Sequence, residues 1–90
     1  MSLTLQQQNA YDNLLKSFNA QKCFTYDADE NDQVTDWKNL TPCLDDLNQV
    51  LHQYGLAQFQ GGKVKPKTKA NAQKLFTDIM EHIRLQAEEL

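Results

Sequence analysis

Ninety residues suit a single domain over positions 1–90, since a chain this short buries only about 60 to 65% of its unfolded surface on folding. Apolar residues make up 40% and charged residues 23% of it, and no purely apolar run exceeds three residues, which excludes a helical membrane span of roughly 20. The formal charge of −3 argues against global attraction to polyanions but hides a local separation: seven acids face Lys38 alone between Asp27 and Asp46, while five lysines and no acid lie between Gly61 and Lys74.

Thr4 followed by Gln7 has capping-box spacing, in which each side chain satisfies an orphaned backbone N–H at a helix start. A helix is predicted from there to about Phe18, with Tyr11, Leu14, Leu15 and Phe18 as its buried stripe. Between Lys22 and Asn39, Cys23-Phe-Thr-Tyr and Gln33-Val-Thr-Asp-Trp37 carry β-branched and aromatic residues around a turn-rich Asp-Ala-Asp-Glu-Asn-Asp, a pattern that fits a hairpin or an ordered loop. A second helix is predicted from Pro42 to Tyr54, with Thr41 as N-cap, Gly55 as terminator and Leu44, Leu47, Val50, Leu51 and Tyr54 on its apolar face.

Leu-Ala-Gln-Phe-Gln, then Gly61-Gly62, then Lys-Val-Lys predicts a second hairpin, because paired glycines supply the positive φ that a two-residue turn needs. Pro66 ends that strand, and Thr68 caps a final helix from Lys69 to Glu88 or Glu89 with Ala72, Leu75, Phe76, Ile79, Met80, Ile83 and Ala87 inward. The predicted class is α+β and mainly helical, with three principal helices and one or two short β-hairpins.

Tyr54-Gly-Leu-Ala-Gln-Phe-Gln-Gly-Gly-Lys-Val-Lys-Pro-Lys-Thr-Lys, with the capped helix before it and the long helix after it, resembles part of a winged helix-turn-helix domain over residues 41–83. The resemblance implies that the helix before the hairpin meets nucleic acid and that Lys63, Lys65, Lys67 and Lys69 contact phosphates from the wing. The corresponding helix of this chain carries Asp45, Asp46, Asn48, Gln49, His52 and Gln53 but no Arg or Lys. The bland alternative is a solvated lysine-rich hairpin protected from edge-to-edge aggregation.

Asp27-Ala-Asp29-Glu-Asn31-Asp-Gln-Val34-Thr35 resembles the start of an EF-hand calcium loop, but Asp32 replaces its glycine and Lys38 stands where a bidentate glutamate belongs, so no metal site is expected. Cys23, Cys43, His52 and His82 are too widely spaced for a structural zinc site. Both cysteines are read as reduced thiols, with a single disulfide as the alternative. The N-terminus lacks a secretory pattern, so a cytoplasmic location is expected.

No recognised nucleophile signature or phosphate loop is present, so the chain is read as no enzyme and as needing no cofactor. The expected function is a small binding or regulatory module. Its partner is nucleic acid at Lys63, Lys65, Lys67 and Lys69 or, alternatively, a protein met by the acidic surface around Asp29, Glu30 and Asp32. A homodimer through Leu85, Ala87 and Leu90 on the last helix is a further expectation.

Overall fold

The computed structural model describes residues 2–90. Three principal helices make the body: α1 (Leu5–Ser17), α3 (Leu40–Gln53) and α4 (Lys69–Glu88), with a single-turn helix α2 (Ala20–Cys23) after α1. Two short strands, β1 (Tyr26–Ala28) and β2 (Val34–Trp37), form an antiparallel hairpin between α2 and α3. The fold is α+β and mainly helical.

Local chemistry explains the boundaries. Thr4 and Gln7 form the predicted capping box of α1, and Thr68 Oγ1 accepts the Asn71 amide at the start of α4. At the end of α3, Gly55 takes φ +71°, the Leu56 amide donates to Leu51 and the Gly55 amide donates to His52. That pairing is a Schellman ending, in which glycine enters the left-handed region at little steric cost. The start of α3 differs from expectation: Asn39 is the N-cap and makes no side-chain cap bond, and Thr41 lies inside the first turn.

The core joins Leu14 and Phe18 of the α1 end, Cys23, then Leu40, Cys43, Leu44, Leu47 and Leu51 of α3, and Leu75, Ile79 and Ile83 of α4. Phe24, Phe76 and Trp37 extend it toward the hairpin as edge-to-face aromatic neighbours. Trp37 of the hairpin is thereby linked to Phe76 of α4 through Phe24.

Two expectations require correction. Cys23 and Cys43 are not reduced thiols but a disulfide. Residues 20–23 form α2 and not the start of a strand, and α2 packs on α3 so that the two Cα atoms lie 5.4 Å apart, within bridging range. The second hairpin is also absent: residues 56–68 run without helix or paired strand, apart from one isolated bridge between Thr68 and Gln33. Neither Gly61 nor Gly62 has a positive φ. Gly62 instead lies against Leu44 of α3, so that an added Cβ would force the end of that side chain to shift.

Ala87 is fully buried while Leu85 is 43% exposed, so these residues do not form one exposed apolar face on α4. No helix among the described residues is long and apolar enough to cross a membrane.

Candidate functional site

The irregular segment 56–68 forms a strap across α3 and α4, and side chains hold its near end much as a neighbouring strand would. The Phe59 amide donates to Asn48 Oδ1 (2.7 Å), and Asn48 Nδ2 donates back to the Phe59 carbonyl (3.1 Å). Two residues earlier, the Ala57 amide donates to Gln86 Oε1 (3.0 Å), and His82 Nε2 lies 2.8 Å from the Ala57 carbonyl. Because a carbonyl only accepts, Nε2 carries the proton of that bond. These clasps engage the backbone groups that a hairpin ladder would have used.

The far end is tied to the acidic hairpin. The Val34 amide donates to the Lys67 carbonyl (2.8 Å), the Lys69 amide to the Asp32 carbonyl (3.0 Å) and the Trp37 indole N–H to the Pro66 carbonyl (2.9 Å). An ion pair between Lys69 and Asp32 (3.5 Å) reinforces the junction. The acidic and basic stretches that lie about thirty residues apart in sequence are therefore neighbours in space.

The expected lysines divide into two sets. Lys69 begins α4 and is engaged by Asp32, whereas Lys63, Lys65 and Lys67 are exposed and form no ion pair among the described residues. Between the strap and the first half of α4 lies an open groove of about 380 Å³, with Val64, Pro66 and Leu75 as apolar lining and Lys65, Lys67 and Lys74 beside them. Val64 is 79% exposed. Lys63 borders a second groove, against α3 beside Asp45.

The acidic candidates are differently placed. Asp29 Oδ1 accepts the amides of Asn31 (2.9 Å) and Gln33 (3.0 Å), which closes the β1–β2 turn. Asp32 sits in that turn at φ +61°, a region that Asp tolerates better than most residues. Glu30 is exposed and makes neither of these bonds. On the hairpin, Asp27 and Asp36 lie directly opposite each other, a repulsive arrangement that Lys38 relieves by reaching both (3.1 and 2.6 Å). Its hydrogen bond and charge hold the Asp36 carboxyl below the usual carboxylate range, and the two acids raise Lys38 above its ordinary value.

The oxygens that resembled an EF-hand thus turn to lysines and backbone amides, and no group of three or more His, Cys, Asp or Glu among the described residues is arranged to hold a metal ion. The disulfide likewise removes both thiols from any zinc set.

No protein-family model, curated protein or solved structure matches this chain. The strap's own geometry is what its chemistry can be argued from. Sequence reasoning found its lysines but missed the side chains that position it. Asn48, His82 and Gln86 sit 11, 25 and 29 residues from their strap partners, and no local spacing announces such pairs.

Proposed function

We propose that the protein is a small non-enzymatic binding module that engages an anionic partner through Lys63, Lys65 and Lys67, with Lys69 at the margin of the surface. The observation that carries this reading is that three exposed lysines, none of them in an ion pair among the described residues, occupy a strap anchored at both ends. Anchoring limits the conformational freedom lost when the segment binds, which favours affinity. Lysines that neutralise phosphate or carboxylate groups on a polyanion also release its condensed counterions, so binding weakens as salt rises.

A non-catalytic role is supported by the same side chains: both cysteines are joined in a disulfide, and His82 is engaged with a main-chain carbonyl. The acidic stretch is the weaker docking face, because the carboxylates of Asp29 and Asp32 already serve the turn and Lys69. The disulfide suits an oxidising compartment better than the cytoplasm expected from the N-terminal sequence.

Nucleic acid and acidic polypeptide are the two polyanions to compare, using short duplex DNA and poly-L-glutamate as probes at low salt. Trp37, the sole tryptophan, reports on the strap through its bond to Pro66. Binding of at least one probe is expected, with the salt slope falling by about one for each contacting lysine replaced by alanine. The Lys63→Ala, Lys65→Ala, Lys67→Ala triple variant should lose binding while keeping the parent's thermal melt. Failure of both probes to bind at low salt would overturn the reading.

A further inference from the structure

We infer that the groove between the strap and α4 docks an acidic polypeptide segment carrying one apolar side chain. This rests on the strap being the binding surface and names the class of its partner. The groove's composition points there. Val64 stands 79% exposed in the middle of the lysines, and with Pro66 and Leu75 it gives the groove an apolar lining that phosphate chemistry does not call for. Lys65, Lys67 and Lys74 lie around this apolar ground, so an aliphatic side chain can be covered while flanking carboxylates meet ammonium groups.

The molecule already contains such a contact at the end of the strap. The β1–β2 hairpin is an acidic segment with aromatic anchors. It meets the strap end through the Val34 amide to the Lys67 carbonyl (2.8 Å), the Lys69 amide to the Asp32 carbonyl (3.0 Å), an Asp32–Lys69 ion pair (3.5 Å) and the Trp37 indole on Pro66. An acidic partner in the groove would complete the arrangement at Lys65 and Lys67, which form no ion pair among the described residues.

The same surroundings disfavour an extended nucleic acid. The only aromatic residue of the strap, Phe59, is half-buried against His82, so no base-stacking platform is presented there. Asp78 lines the groove and holds Lys74 at 3.2 Å, and the acidic hairpin borders the strap end, so a long phosphate backbone would run past fixed negative charge. A short peptide seated in the groove meets Asp78 with its charge already offset by Lys74, and need not run on past the acidic hairpin.

Fluorescence anisotropy of labelled probes on the whole chain tests this. The probes are an acidic peptide with one central leucine, the same peptide with serine in its place, and a duplex DNA. The leucine peptide should bind, and either the serine peptide or the variant Val64→Ser should weaken binding about five-fold, the loss expected when one aliphatic contact is removed. Val64 is exposed, so its serine variant should retain the parent's melt. Lys65→Ala with Lys67→Ala should weaken peptide binding by more than about ten-fold.

Equal affinity for the leucine and serine peptides, indifference to Val64→Ser, or tighter binding of duplex DNA than of the leucine peptide would each overturn the inference. Duplex binding without peptide binding would leave the lysine strap standing and remove only this partner. No binding of any probe would remove both.

Discussion

Leu47 and Phe59 represent two ways in which this chain holds a segment in place. Leu47 is fully buried on α3 in the core shared with α1 and α4 and is kept there by contacts that any aliphatic side chain of the right shape supplies. Phe59, on the strap, packs only partly against the core, and its backbone is fixed by both polar ends of one side chain, Asn48. The contrast separates stability from presentation. Damage to the helical body should unfold the molecule, whereas damage to the clasps should release the strap from a body that remains folded.

The largest expected effect is Leu47→Ala, which leaves a cavity in the core and should cost about 2–5 kcal/mol in urea unfolding. A loss below about 1 kcal/mol would put Leu47 outside the range for buried leucine and break the comparison.

Reduction of the Cys23–Cys43 bridge comes next. For a sequence separation of 20, chain-entropy reasoning gives about 3 kcal/mol, measurable as a lower urea midpoint with reductant. The double Cys→Ser variant should reproduce the shift and become insensitive to reductant. Unchanged midpoints in both experiments would show that helix packing alone holds α2 on α3.

Asn48→Ala should cost about 1–2 kcal/mol, because it leaves partly buried groups of Phe59 without partners. Its sharper signature is accelerated proteolytic cleavage within residues 56–66, with far-ultraviolet circular dichroism unchanged. Cleavage no faster than in the parent would mean that His82 and Gln86 hold the strap without Asn48.

The smallest effect concerns the exposed Asp36–Lys38–Asp27 cluster. Asp36 titrates below the usual carboxylate range, so its contribution to stability is complete above its ordinary pKa and is lost as pH falls through the lowered one. Lys38 is raised, so its contribution is complete below 10.5 and is lost as pH rises through the higher value. Lys38→Ala should return Asp36 toward the ordinary carboxylate range in an NMR titration. An unmoved Asp36 would separate its depressed pKa from Lys38.

Legibility followed the range of the interactions. The α1 capping box, the Gly55 terminator and the Thr68 cap were readable because each joins residues within a few positions of one another. The β1–β2 hairpin was legible from its residue types, although its first strand begins at Tyr26, after α2, and not at Cys23. Gly61-Gly62 misled because paired glycines need not mark a tight turn: neither has a positive φ, and Gly62 lies against Leu44 of α3. The lysines of the candidate site were visible in the sequence. The exposed Val64 among them became informative only once the groove against α4 had a shape.

Three amphipathic helices, the caps of α1 and α4, and the separation of acidic from basic residues follow from local sequence, since periodicity, capping and charge are local properties. Packing in three dimensions settled that Cys23 and Cys43 meet, that residues 56–68 cross the helices as a strap, and that the acidic hairpin borders its lysines. Each of those outcomes joins residues far apart in the chain. Whether a backbone amide finds a strand, an asparagine or a glutamine as its partner depends on which surfaces packing brings together.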